Sequence, residues 1–80
     1  MERKTTQYFQ SMRQRKDRGD IEMDWIERVI FNPERTMTQT DGRIKKWGKI
    51  PEMEDRYLRV ILLEDGETLH NAFFDRGFTP

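Results

Sequence analysis

His70 is the only histidine in the chain, and its side chain is the one whose ordinary pKa lies closest to neutrality, so proton transfer would fall to it. A second kind of chemistry is suggested more often: Arg43, Lys45, Lys49, Arg59 and Arg76 are interspersed with Trp47 and Tyr57. Cations contact phosphates and flat aromatic rings stack on bases, which is how proteins hold single-stranded nucleic acid. The common enzyme signatures are missing: there is no glycine-rich phosphate loop, no Ser/His/Asp order and no cysteine nucleophile. With no cysteine and one histidine, a zinc site is not expected, and no cofactor is assigned.

Whether these residues share a surface depends on strand register. Residues 56–63 and 68–75 are apolar runs around Asp65-Gly66, a pair that accepts the positive φ of a two-residue type I′ hairpin turn. That turn places Leu62 opposite Leu69, Ile61 opposite His70, Val60 opposite Asn71 and Arg59 opposite Ala72. Side-chain parity then gives a core face of Leu58, Val60, Leu62, Leu69 and Phe73, with Asn71 as its polar member. The open face receives Tyr57, Arg59, Ile61, Thr68, His70, Phe74 and Arg76. A second two-residue turn at Asp41-Gly42 joins residues 34–40 to residues 43–50. It places Arg43, Lys45, Trp47 and Lys49 on one side and Ile44, Lys46, Gly48 and Ile50 on the other. Since Ile44 and Ile50 join the core, the first set extends the open face. The expected site is therefore Arg43, Lys45, Trp47, Lys49, Tyr57, Arg59 and Arg76 as RNA contacts, with His70 as the catalytic candidate.

Two helices must support this sheet. Tyr8, Phe9 and Met12 recur at helical spacing and predict a helix over residues 6–17, stopped at Gly19. Trp25, Ile26, Val29 and Ile30 form the apolar face of a second helix, which starts near Asp20 or Glu22 and ends at Asn32-Pro33. The expected fold is α+β, with two N-terminal helices packed on one face of a four-stranded antiparallel meander, and residues 1–80 as one small domain.

Size and charge narrow the classes further. An 80-residue chain buries about 60% of its unfolded surface, which leaves little room for a deep pocket and makes dimerisation helpful. Charged residues are 38% of the chain, 15 basic and 15 acidic, so the net charge is zero. The charges are segregated, however. Residues 2–18 and 43–49 are basic, while acids gather at residues 52–55 and 64–67. No apolar run approaches the ~20 residues that span a bilayer, so a cytoplasmic protein with no membrane partner is expected. The plain alternative for the open face is a solvated sheet, where Arg, Lys, Thr and Tyr are ordinary residents.

The order of elements, with Ile21 opening a helix that closes at Asn32-Pro33, then Asp41-Gly42-Arg43, Trp47-Gly48, Leu58-Arg59-Val60 and Asp75-Arg76, resembles an uncharacterised family of small bacterial proteins over about residues 8–78. That family is similar in pattern to the wider BrnT and RelE/ParE toxin group, in which two helices pack on an antiparallel sheet. Several of those toxins are ribonucleases neutralised by an antitoxin. The resemblance implies phosphate contacts at Arg59, Arg76, Lys45 and Lys49, stacking at Tyr57 or Trp47, and proton transfer at His70. Relatives in the wider group often carry a histidine in the first helix, where this chain has Phe9-Gln10-Ser11, and they are clearly basic where it is neutral. Two functions are carried forward. One is a toxin-like RNA-binding domain with weak ribonuclease activity. The other is a non-enzymatic interaction or homodimerisation module, in which a protein partner, an antitoxin or a second copy covers Trp47, Ile61 and Phe74.

Overall fold

The computed structural model describes residues 3–15 and 20–80. Helices α1 (Gln7–Arg13) and α2 (Met23–Phe31) precede strands β1 (Arg35–Thr38), β2 (Ile44–Ile50), β3 (Arg56–Leu62) and β4 (Leu69–Phe74). The strands pair antiparallel in the order β1-β2-β3-β4, an α+β meander. α1 begins at Thr6, whose hydroxyl oxygen accepts the Phe9 N–H and so satisfies a donor that has no partner within the helix. The expected continuation to residue 17 and the stop at Gly19 involve residues 16–19, which lie outside the described residues.

Trp25, Ile26, Val29 and Ile30, the apolar face of α2, are all buried, and the helix lies over β2 and β3. Its approach is close because Gly48 has no side chain: a Cβ there would stand 2.9 Å from a Val29 methyl carbon. Beneath the helices, Ile50, Leu58, Val60, Leu62, Leu69 and Ala72 form the buried floor of the core with Phe9 and Ile21. Lys46, on the same side of β2, bonds the Ile30 carbonyl at 2.8 Å. Between β2 and β3 the chain makes a 3₁₀ turn at Pro51–Met53, and Glu54 and Asp55 follow with φ of 59° and 61°.

Both hairpin loops differ from the expected two-residue turns. Between β1 and β2, Gln39 N–H bonds Arg43 O at 2.7 Å and Gly42 N–H bonds Gln39 O at 3.0 Å, so the loop is residues 40–42. Gly42, at φ +92°, supplies the left-handed residue that follows such a turn. Between β3 and β4, Leu63 N–H bonds Thr68 O and Gly66 N–H bonds Leu63 O. Gly66 has positive φ there and Asp65 does not, so no type I′ turn forms. The Asp65 carboxylate instead accepts from the N–H groups of Glu67 and Thr68 and from the Thr68 hydroxyl. Those bonds, the two to Thr68 foremost, hold its pKa down to about 2.

The second correction is a β-bulge. Leu62 pairs with Leu69 as expected, but Ile61 pairs with Asn71, Val60 with Ala72, Arg59 with Phe73 and Leu58 with Phe74. His70 is the extra residue, and every position beyond it changes face. Phe74 therefore packs on the core, edge-on to Trp25 with ring centroids 6.2 Å apart, while Phe73 joins the open face. Two physical causes are visible. The Leu69 N–H donates to Lys4 O at 2.8 Å and its carbonyl accepts from Thr6 N–H at 3.0 Å, so the N-terminal segment holds the outer edge of β4 at this point. The shift also takes Asn71 off the helix-facing side and gives its place in the core to Ala72.

Candidate functional site

The open face is built on three cross-strand rows. The central row is Arg35, Trp47, Arg59 and Phe73; on one side of it run Met37, Lys45, Ile61 and Asn71, and on the other Lys49 and Tyr57. Arg43 continues the parity of β2, and Arg76 follows β4 as an exposed residue. The structure thus places Arg43, Lys45, Trp47, Lys49, Tyr57 and Arg59 along one sheet face. Arg35 belongs with them but escaped the sequence analysis. A two-residue loop would have set Thr36 opposite Trp47, whereas the three-residue loop brings Arg35 there.

Trp47 lies on the expected face but is only 5% exposed. After β4 the chain turns back over the sheet, and Phe78 stacks on Trp47 with centroids 5.1 Å apart and planes 14° apart. The same ring lies 4.8 Å from the ring of Tyr57 and 5.0 Å from the guanidinium carbon of Arg35. Asp75 anchors this arrangement. Its Oδ2 accepts from Trp47 Nε1 at 3.0 Å and from Arg59 Nε and Nη2 at 3.0 and 2.6 Å, while Oδ1 accepts the Gly77 N–H. These donors, the Trp47 N–H foremost, hold the Asp75 pKa below the usual carboxylate value against the opposing effect of burial. Arg59 is therefore engaged: it pairs with Asp75 and lies 5.6 Å from the ring centre of Trp47 and 4.8 Å from that of Phe73.

The other carboxylate at this face, Glu34, accepts the Lys49 backbone N–H at 3.1 Å and the Tyr57 hydroxyl at 3.3 Å. Arg43 has Asp41 3.8 Å away, a long exposed contact. Among the described residues, Arg35, Lys45, Lys49 and Arg76 have no carboxylate within 4.0 Å.

His70 has different company. Its Nδ1 lies 3.1 Å from Thr6 Oγ1, and its ring stacks on Tyr8 with centroids 4.8 Å apart. Thr6 Oγ1 also accepts the Phe9 N–H, and its second lone pair and its hydrogen leave it able to accept from Nδ1–H or to donate to a bare Nδ1. Burial, and secondarily the charge of Arg43, lower the His70 pKa and favour the neutral form. Its hydrogen-bond and ring partners thus come from the N-terminal segment and the first turn of α1, not from the central row. Among the described residues, no group of three or more metal-ligating side chains is assembled.

On the helix side an open groove of about 1060 Å³ runs between the N-terminal segment, α1 and α2 over Phe9, Met23 and Ile30. Arg3 and Glu27 are ion-paired in it, Arg3 Nη2 donating at 2.7 Å, and Phe31, 70% exposed, stands at its edge. No helix among the described residues is long and apolar enough to cross a membrane. No family model, no curated protein and no solved structure matches this chain.

Proposed function

We propose that this chain is an RNA-binding module that receives a single strand along the open sheet face, with phosphates on Lys45, Lys49, Arg43 and Arg76. The observation that carries this reading is an imbalance of partners. Arg35, Lys45, Lys49 and Arg76 are left without a carboxylate partner among the described residues, whereas Glu34 and Asp75 are occupied by internal hydrogen bonds and Asp41 lies against Arg43. A surface with unpaired cations and engaged acids attracts polyanions even on a neutral chain. The role is toxin-like in its use of the sheet face, as the resemblance to the BrnT and RelE/ParE group implies, but it is binding rather than cleavage. His70, the residue suited to proton transfer, lies against Thr6 and Tyr8 and has no hydrogen-bonded carboxylate among the described residues.

Fluorescence anisotropy with a single-stranded RNA octamer across a salt series tests the proposal. Three to four phosphate contacts give a log–log salt slope of about −2 to −3, and the double variant Lys45→Gln/Lys49→Gln makes it shallower by about 1.4. Salt-independent binding, or an unchanged slope in the double variant, would sink the reading.

A second reading, a protein-interaction or homodimerisation module, is favoured by a different observation. β1 is an edge strand whose four residues are all exposed, including Met37 at 50%, and it offers an unpaired side to another strand. Concentration-dependent sedimentation that Thr36→Pro abolishes would favour it over RNA binding.

A further inference from the structure

The open face lacks one thing that a nucleic-acid platform needs, which is access to the ring at its centre. Trp47 is covered, and Phe78 covers it. This phenyl ring comes from irregular chain beyond β4, and the backbone hydrogen bond made by its own residue is a long one, Phe78 N–H to Asp75 O at 3.4 Å. The ring meets the rings of Trp47 and Tyr57 and the Arg35 guanidinium. A group held in this way is an intramolecular ligand, present at an effective concentration on the order of millimolar, and a free ring that fits the same surroundings competes with it.

Those surroundings select the competitor. The Trp47 indole is fixed by its bond to Asp75, so the stacking surface is already oriented when it is uncovered. Arg35 adds a cation against the ring, and Lys45 and Lys49 stand two residues to either side of Trp47 on the same face of β2. A slot with a planar floor, a guanidinium and flanking ammonium groups suits a flat ring tethered to an anion. An uncharged phenyl uses the floor and the guanidinium but leaves both lysines unengaged. We propose that Phe78 is a resident plug in a nucleobase slot formed by Trp47, Tyr57 and Arg35, and that a base of the bound strand enters by displacing it. This rests on the RNA reading above and adds to it the place and mode of base contact. Binding by the wild-type chain is weakened by the fraction of molecules in which the slot is closed.

The experiment compares the wild-type chain, Phe78→Ala and Phe78→Leu for binding to an oligoadenosine octamer and to an abasic octamer of equal charge, while NMR follows the Trp47 indole N–H. The expected result is about tenfold tighter binding of oligoadenosine by Phe78→Ala, with Phe78→Leu in between, no gain for the abasic strand, and a Trp47 shift with the base-bearing strand. Equal or weaker oligoadenosine binding by both variants, or an equal gain for the abasic strand, would overturn the slot. If Lys45→Gln/Lys49→Gln still weakened binding in that case, the cationic face would stand without it. Absence of binding to either strand at low salt would end both.

Discussion

Asp75 shows how one side chain can organise a surface that its neighbours in sequence do not explain. Asp75 and Arg76 look like a pair in the sequence, yet adjacent strand residues point apart, and the partners of Asp75 are Trp47 and Arg59. Trp47 and Arg59 are cross-strand neighbours, so one carboxylate can reach both, but only once β4 has been placed beside β3. Because its folded pKa is lowered, Asp75 contributes stability above the ordinary carboxylate value near 4, and this is lost as pH falls through the lowered value. Asp75→Asn keeps an oxygen for Trp47 but gives up the charge beside Arg59. It should cost about 1–2 kcal/mol at neutral pH and less at pH 3, below the ordinary carboxylate value, as read from urea unfolding at both. An equal cost at the two pH values would show that the charge on Asp75 contributes nothing. His70 illustrates the opposite case, since its chemistry is conspicuous in the sequence while burial lowers its pKa and its contacts are with Thr6 and Tyr8.

At the scale of elements, the meander and both helices were legible because each has a local cause. The apolar quartet of α2 repeats at helical spacing, and each Asp-Gly pair lies within a turn. What local rules missed was loop length and bulge position. A Gly with positive φ serves equally as the second residue of a two-residue turn or as the last residue of a longer one, and the alternatives differ by one or two residues. One extra residue in the first loop decides that Arg35 faces Trp47. One extra residue at His70 exchanges the faces of Phe73 and Phe74. The close packing of α2 on β2 gives a direct test at this scale. Gly48→Ala drives a Cβ into Val29 and should destabilise the fold by about 1–3 kcal/mol, whereas Gly48→Ala combined with Val29→Ala should recover much of that loss in thermal unfolding.

For the whole molecule the margin is small. At about 0.05–0.15 kcal/mol per residue, a chain of this length holds about 4–12 kcal/mol of stability. Leu62 is fully buried in the core, so Leu62→Ala should cost about 2–5 kcal/mol and leave a chain that unfolds at markedly lower urea concentration. An unchanged midpoint would mean that the core closes over the lost volume. What the sequence determined by itself was what nearest neighbours and periodicity control: the α+β class, the order of helices and strands, the parity within β2 and β3, and the gathering of Arg43, Lys45, Lys49, Tyr57 and Arg59 on one face. Tertiary structure alone decided how β4 is bulged, that Phe78 returns over Trp47, that Asp75 meets Arg59, and that His70 sits against α1. These depend on contacts between residues far apart in the chain, where the hydrogen-bonding needs of the N-terminal segment and the burial of Phe74 outweigh the preference of any local turn.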